Sequence, residues 1–376
     1  MASRFTRSRH LLPASVYWTP PSAARSSWLV TNAEVLSYLR RRLPKVQPKG
    51  APQRLPEGNL NVVWRVPGAP SVIVKHAPPY VAAQPDVTLD PSRLAIEAAC
   101  LRAFDADGPL RDLATPLVRP PHLLDVNLAQ HVLVMEDVGD VPTLGRWLRT
   151  APSAALQRSQ TIGERLGRFL GQLHRRTLHD TDLRERFDNR PMQQTRHAVQ
   201  YQAVGDLLRE AGIPDAEALG QRAKALGEYL LTPGRCLTMG DLWPPSVLVR
   251  PTTLRLIDWE LAHVGQPEQD VAHFEAHCWM QAHRAPHPDA KRAVQTLQTS
   301  FRTSYRAAVD DAAGTLLSDA MQQRGAVHVG AEILVRTVGG FQDGYLYEGL
   351  PSAHPDVQEA VQAAAQCIRT QSLNGL

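Results

Sequence analysis

Val35, Leu36, Leu39 and Leu43 recur at helical spacing, which predicts a short amphipathic helix that Asn32 can cap. The period then drops to two. Val62, Trp64 and Val66 alternate with Val63 and Arg65, and Ser71 to Lys75 follows a Pro-Gly-Ala-Pro turn, so 55–76 reads as two strands. Helical spacing returns at Leu94, Ala98, Leu101 and the neighbouring Phe104, behind an N-cap Asp90 and a Pro91 whose missing N–H costs nothing there. His131 to Met135 is a short apolar strand ended by Glu136-Asp137-Val138-Gly139. From about 153 the pattern is helical, with Leu166, Phe169, Leu170 and Leu173 marking one helix. The interruption is 236–261, where Ser246 to Val249 and Leu254 to Ile257 read as two short strands; 266–376 returns to helix. Strands first and helices after, with a small β insert, predict an α+β chain in two lobes. The expected division is an extension over 1–30, a β-rich N-lobe over 31–138 and a helical C-lobe over 139–376.

Composition narrows the class. At 376 residues, 43% hydrophobic and 21% charged, the chain can bury a full core as an ordinary globular protein. No run approaches 18 apolar residues, so no membrane-spanning helix is expected. Lys+Arg 41 against Asp+Glu 37 leaves +4, too mild an excess for a nucleic-acid binder. Cys100, Cys236, Cys278 and Cys367 are far apart with no CxxC pair, which fits neither a disulfide framework nor a zinc site and suits a cytoplasmic protein. Residues 1–33 hold Arg4, Arg7, Arg9 and Arg25 and no acid. That composition suits a transit peptide, an unstructured extension or a wrong start. Monomer and homodimer both remain open.

The β insert carries the candidate chemistry. Met239-Gly240-Asp241-Leu242-Trp243-Pro244-Pro245-Ser246 leads into its first strand, and Ile257-Asp258-Trp259-Glu260 closes its second. Acids at adjacent strand ends are what magnesium-dependent phosphoryl transfer uses. Asp241 would accept the proton of the attacking hydroxyl, and Asp258 would hold Mg²⁺ against nucleotide phosphates. In extended backbone Asp258 and Glu260 point the same way and can share metal ions, with Ser246 a weaker neutral ligand.

This segment resembles the catalytic and metal loops of the protein-kinase-like small-molecule phosphotransferases, which include aminoglycoside phosphotransferases, choline kinases and methylthioribose kinases. Gly240, Asp241, Ser246, Asp258 and Glu260 match, and Ser246 with the Asp-x-Glu spacing resembles the methylthioribose kinase version. Glu57 to Trp64 resembles that family's G-N-L-N loop, Val72 to Val81 its lysine strand, and Thr88-Leu89-Asp90 with Ile96-Glu97-Ala98 its helix entry. The resemblance covers about 30–350 and implies a protein-kinase-like two-lobed fold with ATP and Mg²⁺ in the cleft. It implies that backbone N–H groups around Gly58, Asn59 and Asn61 cover the phosphates, that Lys75 reaches them and that Glu97 holds Lys75. Met135 to Val138 is similar to the hinge, where backbone groups of Glu136 and Val138 would receive adenine. His174 lies in a segment resembling a structural helix of the superfamily. Asp270 matches an acid that braces the catalytic loop. Glu332 to Gly340 is similar to a segment that supplies an arginine pair to the substrate.

The departures fall on the acceptor side. The first arginine of that pair is Val335, leaving Arg336; the usual loop histidines are Met239 and Trp243; and 82–87 lacks a tryptophan. Asp241-Leu242-Trp243 with Asp258-Trp259-Glu260-Leu261 resembles fungal members that include hydroxytryptamine kinases. The resemblance therefore implies an ATP- and Mg²⁺-dependent kinase of a small hydroxylated metabolite, methylthioribose-kinase-like, whose altered acceptor site includes Trp243 and Arg336. An aminoglycoside phosphotransferase is one alternative. Polycations want an acidic pocket, and 268–376 is only mildly acidic at 12 acids to 8 bases. A nucleotide-binding pseudokinase is another, although both Asp241 and Asp258 are present.

Overall fold

A computed structural model describes residues 31–56, 60–150, 155–374 and 376. The expected 1–30 extension and the loop residues Gly58 and Asn59 lie outside these. The first helix, Asn32–Arg42, is capped one residue earlier than the pattern suggests. Thr31 and Glu34 form a reciprocal capping box, with Glu34 in the first turn and Arg40 to Arg42 in the last, both favourable to the helix dipole. Its buried Val35, Tyr38 and Leu39 pack on Trp64, Val66, Val72, Val74, Val132 and Val134, one face of a five-stranded sheet. That sheet runs in the order Gln53–Arg54, Val62–Val66, Val72–His76, Val132–Glu136, Leu123–Asn127, with every neighbouring pair antiparallel. Val72–His76 is buried at every position because helices cover both of its faces. Leu123–Asn127 escaped the sequence reading because it is an edge strand with no buried residue.

The second face of the sheet packs on Arg93–Phe104. Ile73, Leu133 and Met135 share one core with Leu94, Ala98, Leu101 and Phe104, and this core continues through Trp259 into the helices Leu156–Arg176 and Pro288–Val309. The Asp90 carboxylate accepts from the Ser92 N–H at 2.8 Å, so Asp90 starts the turn that leads into the helix rather than capping it. The β insert forms as expected: Val247–Val249 pairs with Leu254–Leu256, and Cys236–Thr238 pairs with His263–Gly265. Glu268–His283, Asp319–Thr337 and Pro355–Thr370 complete the helical part around a separate cluster that includes Ala276, Val335 and Val361. All four cysteines are free and buried. Among the described residues no helix is long and apolar enough to cross a membrane.

Candidate active site

Lys75 projects from the central strand into a ring of carboxylates. Its Nζ lies 2.7 Å from Glu97, 2.9 Å from Asp258 and 3.7 Å from Glu260. Burial works against its charge, but the three acids outweigh it and hold the lysine well above its ordinary range. Glu97 is raised by burial, with Lys75 opposing. Only Asp258 of the three acids is substantially exposed, 42% against 1% and 4% for Glu97 and Glu260. Three carboxylates face the two cations Lys75 and Arg93, and Asp258 alone of the three is accessible. That donor set suits a divalent cation, and Mg²⁺ often takes just one or two carboxylates plus phosphate oxygens.

The extended backbone expected for 258–260 is absent. Asp258 adopts a left-handed conformation, φ 64° and ψ 59°, followed by a 3₁₀ turn at Trp259–Leu261. The two side chains therefore have separate surroundings. Both Glu260 oxygens accept from Asn61 Nδ2, at 2.7 and 2.9 Å, and Arg93 Nε adds a bond at 3.0 Å. Burial opposes the Glu260 charge, yet Lys75 and Arg93 hold it below the usual carboxylate range. The side chain of Asn61, a residue whose backbone N–H was expected near the phosphates, thus binds Glu260. Trp259 anchors the turn by donating to the Leu256 carbonyl at 2.9 Å and by packing on Phe104.

Arg93 was not singled out by sequence reasoning. It is fully buried, and its guanidinium also reaches Pro78 O, Asp90 O, Leu60 O and Asn61 Oδ1 at 2.8–3.2 Å. The fork geometry that only arginine offers joins Leu60 and Asn61 to the segment bearing Asp258. Arg93→Leu is expected to cost about 3–5 kcal/mol, since Glu260 would lose a buried ionic partner. Thermal and urea unfolding check this; an unchanged midpoint would remove Arg93 from the framework.

The loop expected to be catalytic is held from beneath. Asp270 accepts from Met239 N–H at 2.7 Å and Gly240 N–H at 2.8 Å, and His174 bridges it to Tyr305. Gly240 has φ +80°, and a Cβ there would stand 2.2 Å from Leu261 O, so the loop needs glycine. Ser246, expected as a metal ligand, is fully buried and ties the loop to itself. Its Oγ donates toward Trp243 O at 2.9 Å and Asp241 O at 3.2 Å and accepts from Trp243 N–H at 3.2 Å. Asp241 Oδ1 accepts from Arg196 at 2.8 Å and lies 3.1 Å from His273 Nε2. Burial would raise its pKa, but His273, Arg196 and Arg336 prevail and keep it well below the usual carboxylate range. Asp241 is thus an ionised, partly exposed carboxylate.

Trp243, expected on the acceptor side, lies in a group of rings. Its ring centroid is 5.1 Å from His277 and 5.4 Å from Tyr345, and the Arg336 guanidinium is 4.5 Å from it. Arg336 pairs with Glu332 at 2.8 Å, while Val335 is fully buried and cannot reach a ligand. A cavity of about 470 Å³ adjoins Tyr345 and Pro245 and carries Arg146, Arg149 and Arg284. In the hinge, Arg119 grips the Glu136 carboxylate at 2.7 and 3.0 Å, and the Glu136 N–H donates to His122 O at 2.9 Å. That N–H is therefore not free for a base. Val138 is buried beside Asp137, which accepts from Ser71 and Arg65.

Residues 52–311 match the model of the Phosphotransferase enzyme family. The chain belongs to this family. A 4-hydroxytryptamine kinase of Psilocybe cyanescens is 30% identical over 293 residues, covering 74% of this chain and 78% of that protein. A 4-hydroxytryptamine kinase of Psilocybe cubensis is 25% identical over 67% of this chain and 74% of its own. In fold, the choline kinase of Cryptosporidium parvum superposes with a TM-score of 0.53 at 11% identity, covering 91% of this chain and 95% of that structure. The protein is thus a small-molecule kinase of the phosphotransferase family acting on a hydroxyl, with a protein-kinase-like α+β fold.

The sequence pointed to Lys75, Glu97, Asp241, Asp258 and Asp270; Lys75, Glu97 and Asp258 form one cluster, and Asp270 holds the loop that carries Asp241. Sequence reasoning missed Arg93, Arg196, His273, His277, Glu332 and Tyr345. Arg93 offered one signal, its place four residues before Glu97 on one helical face. His273 and His277 share a helix face, but His273 meets Asp241 and His277 meets Trp243 only through tertiary packing, so no local pattern marks them.

Proposed function

We propose that this phosphotransferase uses ATP and Mg²⁺ to phosphorylate a hydroxyl on a flat, weakly polar acceptor of the hydroxylated aromatic class. The observation that carries the acceptor class is the Trp243, His277 and Tyr345 ring group with Arg336, close to the base Asp241. An indole offers one N–H and a broad apolar face, which suits stacking on a planar molecule better than bonding to several sugar hydroxyls. The relatives named 4-hydroxytryptamine kinase support the same class. A polycationic aminoglycoside would meet Arg146, Arg149 and Arg284 at the adjoining cavity, an unfavourable field.

In this reading Asp241 orients the acceptor hydroxyl and takes its proton as the oxygen attacks the terminal phosphorus. The new O–P bond forms as the bond to the ADP oxygen breaks. Lys75, held by Glu97, would bind phosphate oxygens, and Arg336 would offset charge on the transferred group. Asp258 would hold Mg²⁺, which supplies neutralisation of phosphate charge. Glu260 and Ser246 serve it indirectly, the first by fixing the loop ends and the second by shaping the catalytic loop.

The test is competition among a hydroxyindole amine, choline, methylthioribose and an aminoglycoside for ATP-dependent phosphorylation. The hydroxyindole is expected to give the highest kcat/KM. A site lacking donors for sugar hydroxyls forgoes discrimination that can otherwise reach about 10⁴–10⁵-fold. Methylthioribose in first place would overturn the acceptor assignment.

A further inference from the structure

Three buried histidines gather behind Asp241. His273 and His277 come from Glu268–His283, and His328 comes from Asp319–Thr337. Hydrogen bonding fixes the protons in this group. Tyr201 is fully buried, and among the described residues its hydroxyl pairs only with His328 Nδ1, at 2.7 Å. The phenol must donate there, because a buried O–H left without an acceptor is costly. His328, which burial keeps neutral, then carries its proton on Nε2. That N–H points to His273 Nδ1 at 3.3 Å. His273 in turn carries its proton on Nε2, which lies 3.1 Å from Asp241 Oδ1.

We infer that His273 is a positioning residue for Asp241, and that a chain Tyr201–His328–His273 sets the tautomer that presents its Nε2–H to the base. The inference rests on Asp241 being the base. His273 Nε2 is buried and has no other partner among the described residues, although its alignment on Asp241 falls short of a full hydrogen bond. Such contacts commonly tighten when substrate binds.

Among the described residues, the charged and titratable neighbours of His273 come from the catalytic loop and two helices. Asp241 faces it from the catalytic loop, with Arg196 beyond at 2.8 Å from the same oxygen. His277 lies on its own helix, with ring centroids 4.8 Å apart. Burial lowers the His277 pKa to about 3, so it is neutral, donates through Nε2 to Glu332 at 3.0 Å and accepts from Tyr345 at 2.8 Å. From Asp319–Thr337 come His328 and Glu332, the latter 3.6 Å from His273 Nδ1 and neutralised by Arg336. The ring nitrogens of His273 and His328 and a Glu332 oxygen lie within 4.8 Å of one another. Arg196 and Arg336 already balance Asp241 and Glu332, so charge does not call for a cation there.

The variants are His273→Leu, His273→Gln and Tyr201→Phe, measured for kcat, ATP KM, melting temperature and the pH dependence of kcat. Loss of a hydrogen bond to a charged group corresponds to about 10–100-fold in rate. His273→Leu is expected to lose that much in kcat with ATP KM within about twofold of wild type. The base would lose a group that stabilises its anion, so the acid limb of log kcat should move to higher pH. His273→Gln, whose amide can donate in place of the ring, should regain much of the loss. Tyr201→Phe, which touches no reacting atom, should move kcat and the acid limb in the same direction by less. A fall in kcat with an unmoved acid limb, failure of His273→Gln to recover, or an unchanged Tyr201→Phe would each overturn the inference. Asp241→Asn, assayed alongside, separates the two claims: if it is inactive while His273→Leu behaves as wild type, only the role of His273 is lost; if it turns over normally, the base assignment itself is wrong.

Discussion

Asp241→Asn is expected to lower kcat by roughly 10²–10⁴-fold while ATP binding persists. The amide keeps the size of the side chain but cannot accept a proton from the acceptor hydroxyl. Its surroundings are built for an anion: Arg196 at 2.8 Å, His273 at 3.1 Å and the charge of Arg336 all favour the ionised form over the effect of burial. The loop itself should survive, because Asp270 holds the Met239 and Gly240 N–H groups and Ser246 closes the turn without using the Asp241 side chain. Steady-state kinetics combined with ATP titration check this. Turnover near wild type would remove Asp241 as the base.

Asp258→Ala is expected to lose at least about 10²–10³-fold in kcat, with no recovery at high Mg²⁺, since such a site lowers the barrier chiefly by stabilising charge on the transferring phosphoryl group. Asp258 is the exposed acid of the cluster around Lys75, and Glu260 cannot replace it while Asn61 and Arg93 occupy its oxygens. Ser246→Ala should behave differently. Its hydroxyl is committed to Trp243 and Asp241 backbone groups, so its loss should lower melting temperature and kcat modestly, and excess Mg²⁺ should not rescue it. A Mg²⁺ titration of both variants decides: greater sensitivity of Ser246→Ala, or its rescue by the ion, would return the hydroxyl to the metal.

Much of this protein was determined by the sequence alone, wherever chemistry and local period coincide. The alternation at Val62 to Val66 fixed a strand because only one register buries Trp64. Gly240 before Asp241 marked a loop whose backbone no other residue adopts without strain. Asp241 and Asp258 were legible as acids at adjacent strand ends, and Lys75, Glu97 and Asp270 through the resemblance of the segments around them to the family. The tertiary structure decided where neighbours in sequence part company. Asp258 and Glu260 are two residues apart, yet a left-handed residue and a 3₁₀ turn give one the cleft and the other Asn61 and Arg93. Ser246 looked like a ligand by position but became a loop brace once buried, because a buried hydroxyl must satisfy its own hydrogen bonds. The group around Trp243 joins residues from four separate segments, Trp243, His277, Arg336 and Tyr345. No sequence period encodes that meeting; it follows from how Glu268–His283 and Asp319–Thr337 pack behind the catalytic loop.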